Sequence, residues 1–167
     1  PVVTPMVFRA FESENLESLE FGLKSDFFNG KARANIAVFS YDYENLQFQA
    51  TDPDPYRGGV ANIPNSEMDG VEIEFTALLG DSITFDMNLG FIDTEVTSEY
   101  EVLDNVLAYQ YFFTEEQERY DLREDVKGNM LAKTPEFTAD ATLTYEGELA
   151  SGNPINVILQ FIRRGEF

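Results

Sequence analysis

The chain has neither cysteine nor histidine among its 167 residues. Without cysteine there is no disulfide, no thiolate metal site and no thiol nucleophile. Without histidine there is no imidazole acid–base chemistry and no His-containing triad that this chain alone encodes. Basic residues are scarce too: 11 Lys and Arg stand against 31 Asp and Glu, a net charge of −20. That balance argues against nucleic acid, which requires a basic surface, and against adhesion to anionic lipid headgroups. No continuous apolar run reaches the ~18 residues of a membrane helix. A membrane β-barrel survives this test, because its signal per strand is weak and lies in alternation. Pro1-Val2-Val3 shows no signal peptide, which leaves a cytoplasmic chain or a piece of something longer; the strand count below favours the piece.

What the sequence does have is alternation. Leu19, Phe21, Leu23 and Phe27 fall on one side of a first segment, with Glu20, Lys24 and Asp26 on the other. Val71, Ile73, Phe75 and Ala77 alternate with Glu72, Glu74 and Thr76, and Ile83, Phe85, Met87, Leu89 and Phe91 alternate with Thr84, Asp86, Asn88 and Gly90. Phe137, Ala139, Ala141, Leu143 and Tyr145 alternate with Thr138, Asp140, Thr142 and Thr144. A last segment places Ile155, Val157, Leu159 and Phe161 on one face, although Ile158 and Ile162 blur the other. Such a period of two marks strands with one apolar and one polar face. The segment after Lys31 is less clean. Ala32, Ala34, Ile36 and Val38 share one parity and Phe39, Tyr41 and Tyr43 the other. Either a bulge or a strand that turns its aromatics elsewhere fits that switch.

The connections run short, long, short, long, short. Asn29-Gly30 suits a two-residue type I′ hairpin, whose central residues both need φ > 0. Gly80-Asp81-Ser82 reads as a tight turn, and the Gly, Ser and Asn of residues 146–154 as another. Residues 51–69, with Asp52-Pro53-Asp54-Pro55, Gly58-Gly59, Pro64 and Asn65, read as a long loop. The longest interruption spans residues 97–135, where Thr114-Glu115-Glu116-Gln117 matches a capping box and Glu115 precedes Arg119 by four, predicting a short loop helix.

Three arguments favour a membrane wall over a soluble sandwich. A tilted spanning strand needs ~9–11 residues, against ~5–6 for soluble strands, and these segments approach the longer figure. No charge interrupts the apolar phase of the first, third, fourth or fifth segment, where a mid-membrane Lys or Arg would cost ~2–4 kcal/mol. Aromatics gather near segment ends: Phe27 and Tyr145 by short turns, Phe91 and Phe137 beside the long loop, as interfacial girdles do. A soluble antiparallel sheet with one buried face gives the same alternation, so a β-sandwich binding module using loop aromatics stays open. About six strands cannot close an ordinary outer-membrane barrel, whose smallest members have about eight. The expected class is therefore all-β: antiparallel up-and-down strands with long outer loops, part of a transmembrane β-barrel. Residues 1–15 form a lead-in and residues 16–167 a partial barrel.

Leu19-Glu20-Phe21-Gly22-Leu23-Lys24-Ser25, the Asn29-Gly30 turn, and the run from Ala37 through Tyr41-Asp42-Tyr43-Glu44-Asn45-Leu46-Gln47 resemble the barrel of TonB-dependent outer-membrane receptors. Asn62, Gly70-Val71-Glu72-Ile73-Glu74, Leu89-Gly90-Phe91-Ile92-Asp93-Thr94-Glu95, Thr134-Pro135 and Arg164-Gly165-Glu166 follow in the family's order. The resemblance implies a barrel of about 22 strands with an N-terminal plug domain inside it. It also implies energised uptake of a scarce ligand such as a ferric siderophore, haem, cobalamin or an oligosaccharide. The implied partners are the plug of the same parent chain, the TonB complex, outer-membrane lipid and the small-molecule ligand. Phe167 follows Arg-Gly-Glu in an internal-strand context, so the chain is expected to end at a truncation point.

Candidate chemistry is thin. Glu20, Lys24, Asp26, Glu72, Glu74, Asp86, Asn88 and Asp140 would line the lumen, where a solvated wall is the simplest reading of each. Glu72 and Glu74 share a face at strand spacing, yet nothing supplies an acid–base partner or pocket. Asp52 and Asp54, with Glu99, Glu101, Asp104, Glu115, Glu116 and Glu118, offer oxygens to a hard cation, but no EF-hand spacing is present; no metal and no cofactor is expected. Tyr109, Tyr111, Phe112, Phe113 and Tyr120 are candidate ligand contacts on the long loop, unless they pack the loop's own small core with Val102, Leu103, Val106 and Leu107. The lack of His, Cys and any nucleophile motif disfavours an enzyme.

Overall fold

A computed structural model describes residues 10–53, 56–104, 106, 107, 110 and 122–165. Among the described residues eight strands follow in chain order: β1 (Asn15–Phe27), β2 (Ala32–Pro53), β3 (Tyr56–Leu78), β4 (Ile83–Val96), β5 (Glu101–Leu103), β6 (Arg123–Asp125), β7 (Phe137–Glu148) and β8 (Pro154–Arg164). Six form one open sheet in the order β1-β2-β3-β4-β7-β8, and β5 pairs with β6 in a second, small sheet. Within the six-stranded sheet each strand pairs with the next of its strands along the chain, β4 reaching past β5 and β6 to β7, the up-and-down topology that alternating patterns and short turns favour. Among the described residues no helix is long and apolar enough to cross a membrane, which has no bearing on strands. By contacts the chain divides into two compact units. Unit 1 holds Pro1–Glu17, Asp42–Glu67 and Glu95–Asn129; unit 2 holds Ser18–Tyr41, Met68–Thr94 and Met130–Phe167.

In unit 2 the registers confirm which side chains share a face. β4 and β7 pair antiparallel with Phe85 opposite Leu143, Leu89 opposite Ala139 and Phe91 opposite Phe137, whose rings lie 5.0 Å apart. β7 and β8 pair with Leu143 opposite Leu159 and Ala141 opposite Phe161. Phe75 and Phe85, 6.3 Å apart, extend the same apolar surface across β3 and β4. A β-sandwich would bury this surface under a second sheet. Instead Phe21 is 76% exposed, Leu159 63% and Phe161 60%. Each such side chain forgoes about 1.5–3 kcal/mol by staying uncovered in water, so this face is built for an apolar surrounding.

The β1–β2 connection differs from the expected two-residue turn. Phe28, Asn29 and Gly30 all have positive φ (54°, 57° and 82°), and two overlapping turns close it, Gly30 N to Phe27 O at 3.1 Å and Lys31 N to Phe28 O at 3.3 Å. Asn29 and Gly30 tolerate this conformation, but β1 pairs only to Phe27, so Phe28 is drawn in at a cost of about 1–2 kcal/mol.

The phase switch in β2 resolves without a bulge before Tyr41. Asn35 donates to Glu74 at 2.8 Å, and the Phe39 ring covers Gly70. The odd residues of β2 therefore lie on the polar face, where Phe39 stacks on Tyr41 with centroids 4.9 Å apart. Ile158 and Ile162 of β8 also lie there, opposite Thr144 and Asp140.

Residues 51–69 are not the long loop that their Gly and Pro content suggests. β2 continues to Pro53 and β3 begins at Tyr56, so Gly58, Gly59, Pro64 and Asn65 are strand residues of unit 1. Turn chemistry is a local preference, and a cross-strand ladder overrides it. Within β2, Asn45 is left-handed (φ 57°), a conformation strands adopt at bulges. The interruption of the main sheet between β4 and β7 carries its own structure, with Val102 opposite Glu124 in the β5–β6 pair. The expected helix around Thr114 lies outside the described residues.

Phe39 is only 7% exposed, and a Cβ on Gly70 would overlap its ring. Gly70→Ala is expected to destabilise the full-length barrel by about 1–3 kcal/mol through overpacking. Phe39→Ala should remove most of that penalty, so the double variant is no worse than Phe39→Ala alone. Denaturant unfolding of the four proteins in a double-mutant cycle checks this; strict additivity would refute the contact.

Candidate functional site

The polar face of unit 2 is a cross-strand network of short acceptors and donors. Arg33 Nε donates to Asp26 Oδ1 at 2.7 Å, with Nη2 reaching Oδ2 at 3.4 Å. Thr76 Oγ1 donates to Asp86 at 2.8 Å, and Asn88 Nδ2 to Asp140 at 3.0 Å. Each pair joins adjacent strands, which is the local unit of sheet stabilisation. Of the residues expected on this face, Glu74, Asp26, Asp86, Asn88 and Asp140 are thus tied into the wall. Glu72 and Glu74 line a notch of about 190 Å³ with Asn88, Gly90 and Thr138. Gly90 leaves room for Thr138, whose Oγ1 lies 2.6 Å from where a Cβ would stand. The two carboxylates share a face as their spacing requires.

Unit 1 is held by side chains that imitate backbone. Glu12 N donates to Asn62 Oδ1 at 2.8 Å, and Asn62 Nδ2 donates back to Glu12 O at 3.1 Å and to Asn45 O at 2.6 Å. Gln47 Nε2 donates to the same Glu12 O at 3.1 Å, and Gln47 N to Glu14 at 3.0 Å. One amide thereby gathers the lead-in and the left-handed Asn45 carbonyl, satisfying groups that no ladder reaches. Asn45, Gln47 and Asn62 belong to the stretches that carried the family resemblance, but their meeting is not readable from spacing, because Asn62 lies in the segment read as a loop.

The base of the long connection is likewise fixed. Thr97 N donates to Asn65 O at 3.1 Å, Asn65 N to Ser98 Oγ at 3.1 Å, and Val96 N to Asn129 O at 2.9 Å. Tyr100 packs edge-on against Phe48 at 5.7 Å. Asp104 Oδ1 caps the next turn, accepting Val106 N at 2.7 Å and Leu107 N at 3.0 Å. Asp125 Oδ1 accepts Tyr100 N at 3.0 Å and Lys127 N at 3.1 Å. The Lys127 amide, then the Tyr100 amide, hold the Asp125 carboxyl below its ordinary value. The ligand-contact candidates Tyr109, Tyr111, Phe112, Phe113 and Tyr120 lie outside the described residues. Among the described residues no three carboxylates converge as a metal site would need; Asp104 and Asp125 instead spend their oxygens on backbone amides.

The description "TonB dependent receptor-like, beta-barrel" names the family whose profile matches residues 4–166. The chain belongs to that family. Its members are bacterial outer-membrane receptors, and their fold accounts for an apolar face left uncovered beside a polar one. Among solved structures, the siderophore receptor PiuA from Acinetobacter baumannii superposes with a TM-score of 0.52 at 17% identity, over 87% of this chain and 21% of that one. At this identity the likeness speaks for the fold. The chain spans about a fifth of that receptor's length.

Because the Asp125 carboxyl is held low, its two amide bonds contribute above the ordinary carboxylate value of 3.8 and are lost as pH falls through the lower folded value. Amide exchange at Tyr100 and Lys127 should therefore accelerate below pH 3.8, relative to the β4–β7 ladder. Asp125→Ala should show that acceleration at neutral pH. Unchanged exchange in the variant would refute the anchoring role.

Proposed function

We propose that this chain is a section of barrel wall of an outer-membrane receptor that takes up a scarce ligand, a ferric siderophore or similar compound, by TonB-energised transport. In this reading the polar face lines a lumen occupied by a plug domain of the parent chain, and the apolar face meets lipid. The connection from β4 to β7, with Tyr109, Tyr111, Phe112, Phe113 and Tyr120, supplies ligand contacts from outside. The protein transports and does not catalyse. One observation carries the reading: a family-typical wall whose exposed apolar rows and hydrogen-bonded polar rows occupy opposite faces of one sheet. A likeness in fold to a siderophore receptor supports the ligand class, and the aromatic content of the long connection supports its place.

Leu89 and Asn88 are adjacent and face opposite ways, so they separate the two surfaces. In the full-length receptor, Leu89→Lys is expected to cost ~2–4 kcal/mol, measured by denaturant unfolding in lipid. Asn88→Lys, beside Asp140 and Glu74, should cost less than about 1 kcal/mol. Equal costs would overturn the assignment of faces.

Replacing the five loop aromatics together by Ala should weaken binding of the cognate ferric siderophore at least about tenfold, or ~1.4 kcal/mol. The unfolding midpoint should be unchanged. Titration against a panel of ferric siderophores checks both the class and the contacts; full affinity in the variant would exclude these residues.

A further inference from the structure

We draw no further inference here: the strongest candidate, the pocket of about 350 Å³ in unit 1 lined by Glu17, Asp42, Glu44 and Glu67, is a cluster of carboxylates that nothing else among the described residues marks for a ligand, because the buried, unpartnered Ser66 hydroxyl lies on the opposite face of β3 from Glu67.

Discussion

A strand that crosses hydrocarbon finds no water for its backbone, so every N–H and C=O must be met by a neighbouring strand. The ladders of unit 2 satisfy that demand without a break, from Ile83–Tyr145 to Phe91–Phe137 between β4 and β7, and from Thr138–Arg164 to Glu148–Pro154 between β7 and β8. Once the ladder has consumed the backbone, side chains are free to differ by face alone. That freedom is the origin of the alternation: one parity serves the apolar surroundings, the other an aqueous interior. The sheet remains open at β1 and β8, and open edges are what closure into a barrel with further strands removes.

The two units solve different problems with the same strands. Unit 2 gains its order from ladders and an apolar face, and its polar face is stitched by pairs such as Asn35–Glu74 and Asn88–Asp140. Unit 1 includes the far ends of β2 and β3 and the strands β5 and β6, where Pro and Gly interrupt the pattern. It is held by polar clamps, with Asn62 and Gln47 on Glu12 and Asp125 on Tyr100, and by a few buried side chains such as Ile63, Val96 and Leu103. Clamps of this kind carry direction, so they fix where a connection starts without requiring an apolar core beneath it.

How much of this was legible follows from the same division. Where one face had to be apolar, as from Val71 to Ala77 or Phe137 to Tyr145, period two gave strands, partners and faces together. From Gly58 to Asn65, where Ile63 is the one buried side chain among the described residues, no continuous apolar face forces alternation, and turn-forming residues read as a loop although they lie in β3. The β2 ambiguity had a subtler cause: Phe39 is apolar but serves the polar face, because Gly70 opposite leaves a gap that only a ring fills. A glycine inside a strand was the available signal, and it identifies a close approach without naming the partner. Asn62 could not be assigned a role, since its partners Glu12 and Asn45 are distant in sequence. The loop aromatics carry no periodicity that would have fixed their geometry.

Charge links the wall to what it faces. On the polar face of unit 2 the acids Glu20, Asp26, Glu72, Glu74, Asp86 and Asp140 outnumber Lys24, Arg33 and Arg164. Hydrogen bonds from Arg33, Asn35, Thr76 and Asn88 occupy Asp26, Glu74, Asp86 and Asp140, but neutral amides and hydroxyls orient a carboxylate without cancelling its charge. The surface therefore stays negative, with a reach of about 8 Å at physiological ionic strength. A cationic or zwitterionic surface can rest against such a wall at little cost, whereas an anionic one needs counter-ions between. The hydrogen bonds that tie neighbouring strands together on this face thus leave its negative charge in place.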